Sequence, residues 1–364
     1  MSASPTPVVL ITGVCANAMA AATIGQQWDL PGAVVVHHRI DVEGQQLHRL
    51  VSDVSGALER EVIDLAHACV GCAIREDIIP TLRRLADVGR WQSIVVHLPV
   101  AAEARQVCRV LEAERVVDIK VTAIVTALDG TDLVSTLTGD ALLCEEGRHT
   151  AEEDRRGTAE TACALIEYAD VVSVHGAAPP EGLGLVRALA RPGAVLVGDA
   201  GLQPTSVLID GVHHHDEAES WVSEMRIAPL PRLVSESVWQ LDLRSDRPLH
   251  PARLHDRLGT IGGGAHRSRG CFWLATRPGT VCAWDGAGGQ VSVGAVASWG
   301  HQAPMSRLVV TGLDALTSPA ERAAIEAAFR ECLLTEAELA ERGPYWDVAS
   351  DGFEPWLGTI RIAA

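Results

Sequence analysis

Lysine is nearly missing from this chain: among 30 lysine and arginine residues, Lys120 alone is a lysine. Any chemistry that depends on a lysine ammonium therefore has one side chain to draw on. An excess of positive charge is also missing. The 30 basic residues face 47 acidic ones, for a net charge of −17, which argues against a protein that coats nucleic acid through bulk charge. No apolar run approaches the ~20 residues that a membrane span needs. Met1 to Pro7 lacks the basic start and apolar core of a signal peptide, so a cytoplasmic location with no membrane partner is expected. The nine cysteines are odd in number and only Cys69 and Cys72 stand close together. That usage fits reduced thiols, mostly buried as small hydrophobes, and excludes a disulfide scaffold.

What is present is core. At ~150 residues per domain, 364 residues suggest two domains, and 47% hydrophobic content excludes intrinsic disorder. Pro7 to Gly13 reads as a buried first strand, followed by an alanine-rich helix over Val14 to Gln27. Further strands are predicted at Ala33–Val36, Ser93–Leu98, Val121–Leu128, Asp170–Val174 and Ala194–Val197. Helices are predicted at Leu58–Ala66, Arg75–Asp87, Ala101–Glu114 and Thr158–Tyr168. This alternation predicts a mostly parallel sheet covered on both faces. After about residue 205 the composition turns polar, with His213, His214, His215, Asp216 and Glu217 ahead of Pro229 and Pro231. We read 206–234 as an interdomain linker. Beyond it, strands at Val238–Leu243, Cys271–Thr276, Thr280–Trp284 and Leu308–Thr311, with helices at Pro251–Leu258 and Ala320–Cys332, predict a smaller α+β domain.

Five places invite chemistry. The first strand ends in a glycine turn, where a phosphate-binding loop sits in nucleotide-binding proteins. Such a loop needs glycines, a lysine for the phosphates and a Ser/Thr for magnesium. Here the turn offers Gly13 and Asn17, but Met19 stands at the lysine position and Ala20 at the hydroxyl position. Nothing is left to neutralise a triphosphate. Cys69-Val70-Gly71-Cys72 is a C-x-x-C in which two thiolates can grip one zinc ion, with Gly71 easing the turn and His67 available as a nitrogen ligand. A redox pair at a helix start, or two inert packed thiols, are the alternatives. The tract His213, His214, His215 can bind zinc as an auxiliary site or be a solvated linker. His37, His38 and His97 fall at predicted strand ends, where ligands collect in parallel sheets. Finally, Arg253, Arg257, Arg267 and Arg269 lie in a locally basic stretch from Arg247 to Arg277. That stretch could contact RNA or an acidic protein, or rim a small sheet.

The glycine turn, Ala68-Cys69-Val70-Gly71-Cys72-Ala73-Ile74-Arg75-Glu76-Asp77, Arg247-Pro248-Leu249-His250-Pro251-Ala252-Arg253-Leu254, Arg269-Gly270-Cys271-Phe272-Trp273 and the closing Trp299 occur in one order. Together they resemble the CobW family of metal-handling, GTPase-related proteins over nearly the whole chain. The resemblance implies a SIMIBI-type P-loop GTPase-like α/β domain over 1–205 and a CobW C-terminal domain over 235–364. Family members carry a G-C-x-C-C metal motif; Gly71 stands here for its middle cysteine. The acidic catalytic motif would fall near His97-Leu98-Pro99-Val100 and the guanine-reading motif near Val174-His175-Gly176-Ala177, and neither is kept. With all three nucleotide elements lost, the resemblance implies a pseudo-GTPase with zinc but not GTP and magnesium, at most a weak GTP hydrolase. It is most similar to an actinobacterial branch induced by zinc starvation. That branch implies an adaptor recruiting a hibernation factor to ribosomes; the alternative is a zinc metallochaperone serving a client protein, with some GTP binding retained.

Overall fold

A computed structural model describes residues 4–67, 69–198 and 205–360. In chain order, β1 (Thr6–Gly13) leads through α1 (Ala16–Asp29) to β2 (Ala33–Asp41), and a hairpin of β3 (Gln46–Asp53) and β4 (Gly56–Asp64) follows. Then come α2 (Val70–Ala73), a π turn over Ile74–Ile78, α3 (Ile79–Val88), β5 (Ser93–His97), α4 (Ala104–Ala113), β6 (Ile119–Asp129) and α5 (Leu133–Thr138). Next are α6 (Thr158–Tyr168), β7 (Val171–His175), α7 (Pro180–Leu189), β8 (Val195–Gly198), α8 (Thr205–Asp210) and α9 (His215–Val222). The remainder is β9 (Val238–Ser245), α10 (Pro251–Gly262), β10 (His266–Phe272), β11 (Thr280–Ala287), β12 (Gln290–Ser298), β13 (Ser306–Leu313), α11 (Pro319–Cys332), α12 (Glu336–Arg342) and α13 (Glu354–Leu357).

Two compact units result. The first runs to Leu133 and adds 141–179 and 190–221; the second takes 134–140, 180–189 and everything from Val222. The first unit holds an eight-stranded sheet of order β4-β3-β2-β5-β1-β6-β7-β8. Its pairs from β2 to β8 are parallel, and the β2–β3–β4 edge is antiparallel. The continuous apolar runs of β1, β5 and β6 are buried along nearly their whole length, as central parallel strands require. Helix α1 lays Ala18, Met19, Ala22 and Thr23 against them. The second unit is built on an antiparallel sheet of order β12-β11-β10-β13-β9. Its core joins Trp239, Phe272, Trp284 and Leu308 to Leu254 of α10 and Phe329 of α11. A capping box between Ser318 and Glu321 starts α11. The parallel α/β sheet and the separate second domain are as expected.

Three local expectations fail. The helix expected over Leu58–Ala66 is strand β4, because an edge strand exposed along most of its length shows no apolar stripe and its pairing with β3 decides the structure. Strand β3 was not expected at all: its buried face alternates Leu47, Arg49, Val51 and Asp53, so charged residues mask the period. The strand expected at Cys271–Thr276 is displaced towards the N-terminus and stops at Phe272. Among the described residues no helix is long and apolar enough to cross a membrane.

Candidate functional site

The C-x-x-C forms the start of a short helix. Leu65 is pinned behind β4 by its N–H bond to the Gln45 carbonyl at 3.0 Å. Cys69 then takes an extended backbone and caps α2, its Sγ accepting the Cys72 N–H at 3.3 Å. The two half-buried thiols therefore share one helical turn. The hydrogen bond with Cys69 pushes the Cys72 thiol up, and burial adds to the effect. Gly71 has no left-handed φ. A Cβ there would meet only Cys69 Sγ, at 3.9 Å. The helix start, not a glycine turn, aims the sulfurs, which corrects the expectation from the motif. Ala68 lies outside the described residues. His67 is exposed, and among the described residues it forms no compact three-ligand group with the two sulfurs.

Behind the thiols the chain is anchored by charge. The π turn buries Ile74 and Ile78 and aims Asp77 inward. Asp77 accepts from His38 Nε2 at 3.1 Å and pairs with Arg49, which also holds Glu61 at 2.5 Å. Burial pushes His38 down despite the carboxylate beside it. Burial would raise Asp77, but His38 and Arg49 hold its carboxyl below the usual range.

At the end of β1 the structure departs from a phosphate loop. Only Val14 and Cys15 separate β1 from α1, and the Met19 N–H already bonds to the Cys15 carbonyl at 3.0 Å. Residues that would wrap phosphates are wound into helix. Met19 is fully buried in the core, whereas Asn17 and Ala20 face outward. The Gly13 carbonyl is taken by the Ala101 N–H at 2.8 Å. Nearby, His97 lies 4.1 Å from His37, centroid to centroid. Thr23 Oγ1 donates to the Met19 carbonyl at 2.7 Å, so at 2.9 Å it accepts the His97 Nδ1 proton. Burial, then the neighbouring His37 and His38, push His97 down to about 3. Burial lowers His37 too. The lowered values keep these imidazoles neutral near pH 7, with His38 and His97 buried and His37 half-buried.

The histidine tract is not the exposed linker expected of it. His215 opens α9 and His213 is buried; His214 alone is exposed. The Val212 and His213 N–H groups both bond to the Thr122 carbonyl, at 2.8 and 2.9 Å. His213 Nδ1 lies 3.0 Å from Asp170, which is itself held by Arg191 and by the Ile124 N–H at 2.7 Å. His213 Nε2 lies 3.8 Å from Cys108 Sγ. His215 contacts the Tyr168 hydroxyl at 2.8 Å and Glu112 at 3.0 Å. Burial pushes the Cys108 thiol up to about 12. Sequence reasoning missed Cys108, Tyr168 and Asp170, which stand far from the tract in the chain and carry no local signal.

Two family models match. One, the CobW/HypB/UreG nucleotide-binding domain, covers residues 24–175. The other, the cobalamin synthesis protein CobW C-terminal domain, covers 238–333. The chain belongs to the CobW family. The nucleotide-domain match begins at residue 24, within α1. The chain is 28% identical over 311 residues to the zinc chaperone Rv0106 of Mycobacterium tuberculosis, covering 81% of this chain and 74% of that one. It is 20% identical to zinc-regulated GTPase metalloprotein activator 1 of Dictyostelium discoideum, over 83% and 70% of the two chains. The Zn(II)-bound YjiA GTPase from E. coli aligns with a TM-score of 0.36 at 16% identity, covering 91% of this chain and 100% of that one.

In the CobW C-terminal domain the basic stretch is largely spent on internal pairs. Arg253 makes a two-pronged contact with Glu338 at 2.8 and 2.9 Å and donates to the Leu333 carbonyl. Arg257 pairs with Glu331 at 2.8 Å. Arg267 is buried against Asp285, and Arg277 against Asp351. Arg269 is half-buried on β10. The expectation of a free basic face for RNA does not fit Arg267, whose guanidinium is consumed within the sheet.

Proposed function

We propose that this CobW-family chain is a zinc metallochaperone that carries its cargo on Cys69 and Cys72 and works without a nucleotide cycle. The observation that carries the reading is the pairing of two half-buried thiols in a single helical turn, beside an anchor of buried charge. Two sulfurs fill half of a tetrahedral zinc shell and leave positions for a client's own ligands. Zinc takes cysteine sulfur as thiolate, so zinc affinity at such a site depends on pH. The names of the relatives, a zinc chaperone and a zinc-regulated activator, support zinc as cargo and a protein client as partner. The β1–α1 turn does not fit a triphosphate: it is two residues long, lacks a lysine and is closed by Met19.

The test is zinc competition against a colorimetric chelator with the full chain. Wild type and the Cys69→Ser/Cys72→Ser variant are compared, each with and without GTP and magnesium. We expect the variant to lose one equivalent of bound zinc, and the curves with and without GTP to superimpose. An unchanged variant would remove the thiol site, and a GTP-dependent shift would remove the nucleotide-free reading.

As the rival reading we infer a zinc-responsive adaptor that recruits a hibernation factor to ribosomes under zinc limitation. The resemblance to the zinc-starvation branch supports it. Co-sedimentation of the chain with ribosomes from zinc-starved but not zinc-replete cells is the expected result, and its absence from both would leave a soluble client.

A further inference from the structure

We propose a second zinc site in the first unit, formed by Cys108, His213 and His215 and sharing no residue with the C-x-x-C. The sulfur and one ring nitrogen from each histidine lie within 4.8 Å of one another. In a tetrahedral zinc site, bonds of ~2.3 Å to sulfur and ~2.0 Å to nitrogen set the S···N edge at about 3.5 Å. The observed 3.8 Å between Cys108 Sγ and His213 Nε2 is already close to that edge. The two sides that reach His215 are each no longer than 4.8 Å, so closing them needs a movement of at most about 1.5 Å, within the reach of a rotation of the half-buried His215.

The surroundings are those of a metal site. Asp170 holds His213 Nδ1, leaving Nε2 turned to the sulfur, and Arg191 and the Ile124 N–H lock that carboxylate in turn. A carboxylate behind a ligating imidazole fixes its tautomer and makes it a stronger donor. Both ring nitrogens of His215 have partners, Tyr168 and Glu112. The metal takes one nitrogen, and the displaced phenol or carboxylate becomes an outer hydrogen bond or the fourth ligand. Glu112 follows Cys108 by one turn of α4 and its side chain is 66% exposed, so the site opens to solvent on that side. One thiolate with two imidazoles is a borderline-soft set suited to zinc. His214 takes no part, although it sits between the two ligands in sequence.

The site does not depend on the proposed function, and the test separates them. In the full chain carrying Cys69→Ser/Cys72→Ser, a cobalt(II) titration is expected to give one equivalent with tetrahedral d–d bands and a sulfur-to-cobalt charge-transfer band. Adding Cys108→Ser removes the charge-transfer band, and adding His215→Gln weakens binding at least roughly tenfold, as loss of a ligand shell member does. His214→Gln has no effect. His215→Gln alters a half-exposed residue, so it remains informative if Cys108→Ser unfolds. No cobalt band in the Cys69→Ser/Cys72→Ser chain, or a band that survives both Cys108→Ser and His215→Gln, would overturn the site.

Discussion

Met19 lies against Gly13: a Cβ on that glycine would stand 2.9 Å from Met19 Cγ and 2.5 Å from the Ala127 carbonyl oxygen. The Met19 side chain is turned into the core. Putting Met19→Lys and Ala20→Thr back is therefore not expected to restore nucleotide binding. Met19→Lys buries a charge and should cost ~3 kcal/mol or more, seen as a lower thermal midpoint. A fluorescent GTP analogue should show no binding to this double variant or to the surface change Ala20→Thr alone. Micromolar binding by either would refute the closed turn.

Gly71 occupies an open position in α2, with only Cys69 Sγ near its missing Cβ. Gly71→Cys should fold normally and place a third thiol on the same turn. Zinc affinity by chelator competition is expected to rise roughly tenfold or more with the added thiolate. No gain would mean that the two present sulfurs do not face a common ion.

The first unit should be sensitive to acid through its buried imidazoles. His97 is held down at about 3 in the fold, against 6.5 as the ordinary value. Between those limits the unfolded chain binds a proton that the folded chain refuses. Stability from this group is therefore complete above pH 6.5 and falls as the pH drops towards 3. At ~1.4 kcal/mol per unit, that amounts to a few kcal/mol. His37 and His38 are lowered too and act in the same direction. Urea unfolding of His97→Gln should show a shallower loss of stability between pH 6.5 and 4 than wild type. Equal slopes would count against it.

Gly270 sits on β10 with φ +151°, and a Cβ there would come within 1.8 Å of the Arg307 carbonyl oxygen. No side chain can rotate away from a backbone clash. Gly270→Ala should destabilise the second unit by more than ~3 kcal/mol or leave it insoluble, whereas Gly279→Ala, with open space around it, should behave like wild type in calorimetry.

How much could be read in advance depended on which faces were buried. The central strands β1, β5 and β6 were legible because burial on both sides leaves an unbroken apolar run. Strand β3 was not, because Arg49 and Asp53 occupy its buried face, paired with Asp77 and with Arg90 and Trp91. Cys69 and Cys72 could be recognised because one helical turn brings sequence neighbours together. Cys108 and His213 could not, since only the sheet and the packing of α4 and α9 join residues more than a hundred positions apart. The arginines misled in the opposite direction: their partners Glu331, Glu338 and Asp351 lie outside the stretch whose charge was counted.

If the proposed function holds, the two-residue link between β1 and α1 also sets the direction in which cargo would travel. A carrier that burns a high-energy phosphate can drive an ion uphill, into a site that holds it more weakly. On the proposed nucleotide-free reading the chain would have no such fuel line, and each hand-off would run downhill. Its recipients would then have to bind zinc more tightly than it does, and the rank order of affinities, not a molecular timer, would decide who is served.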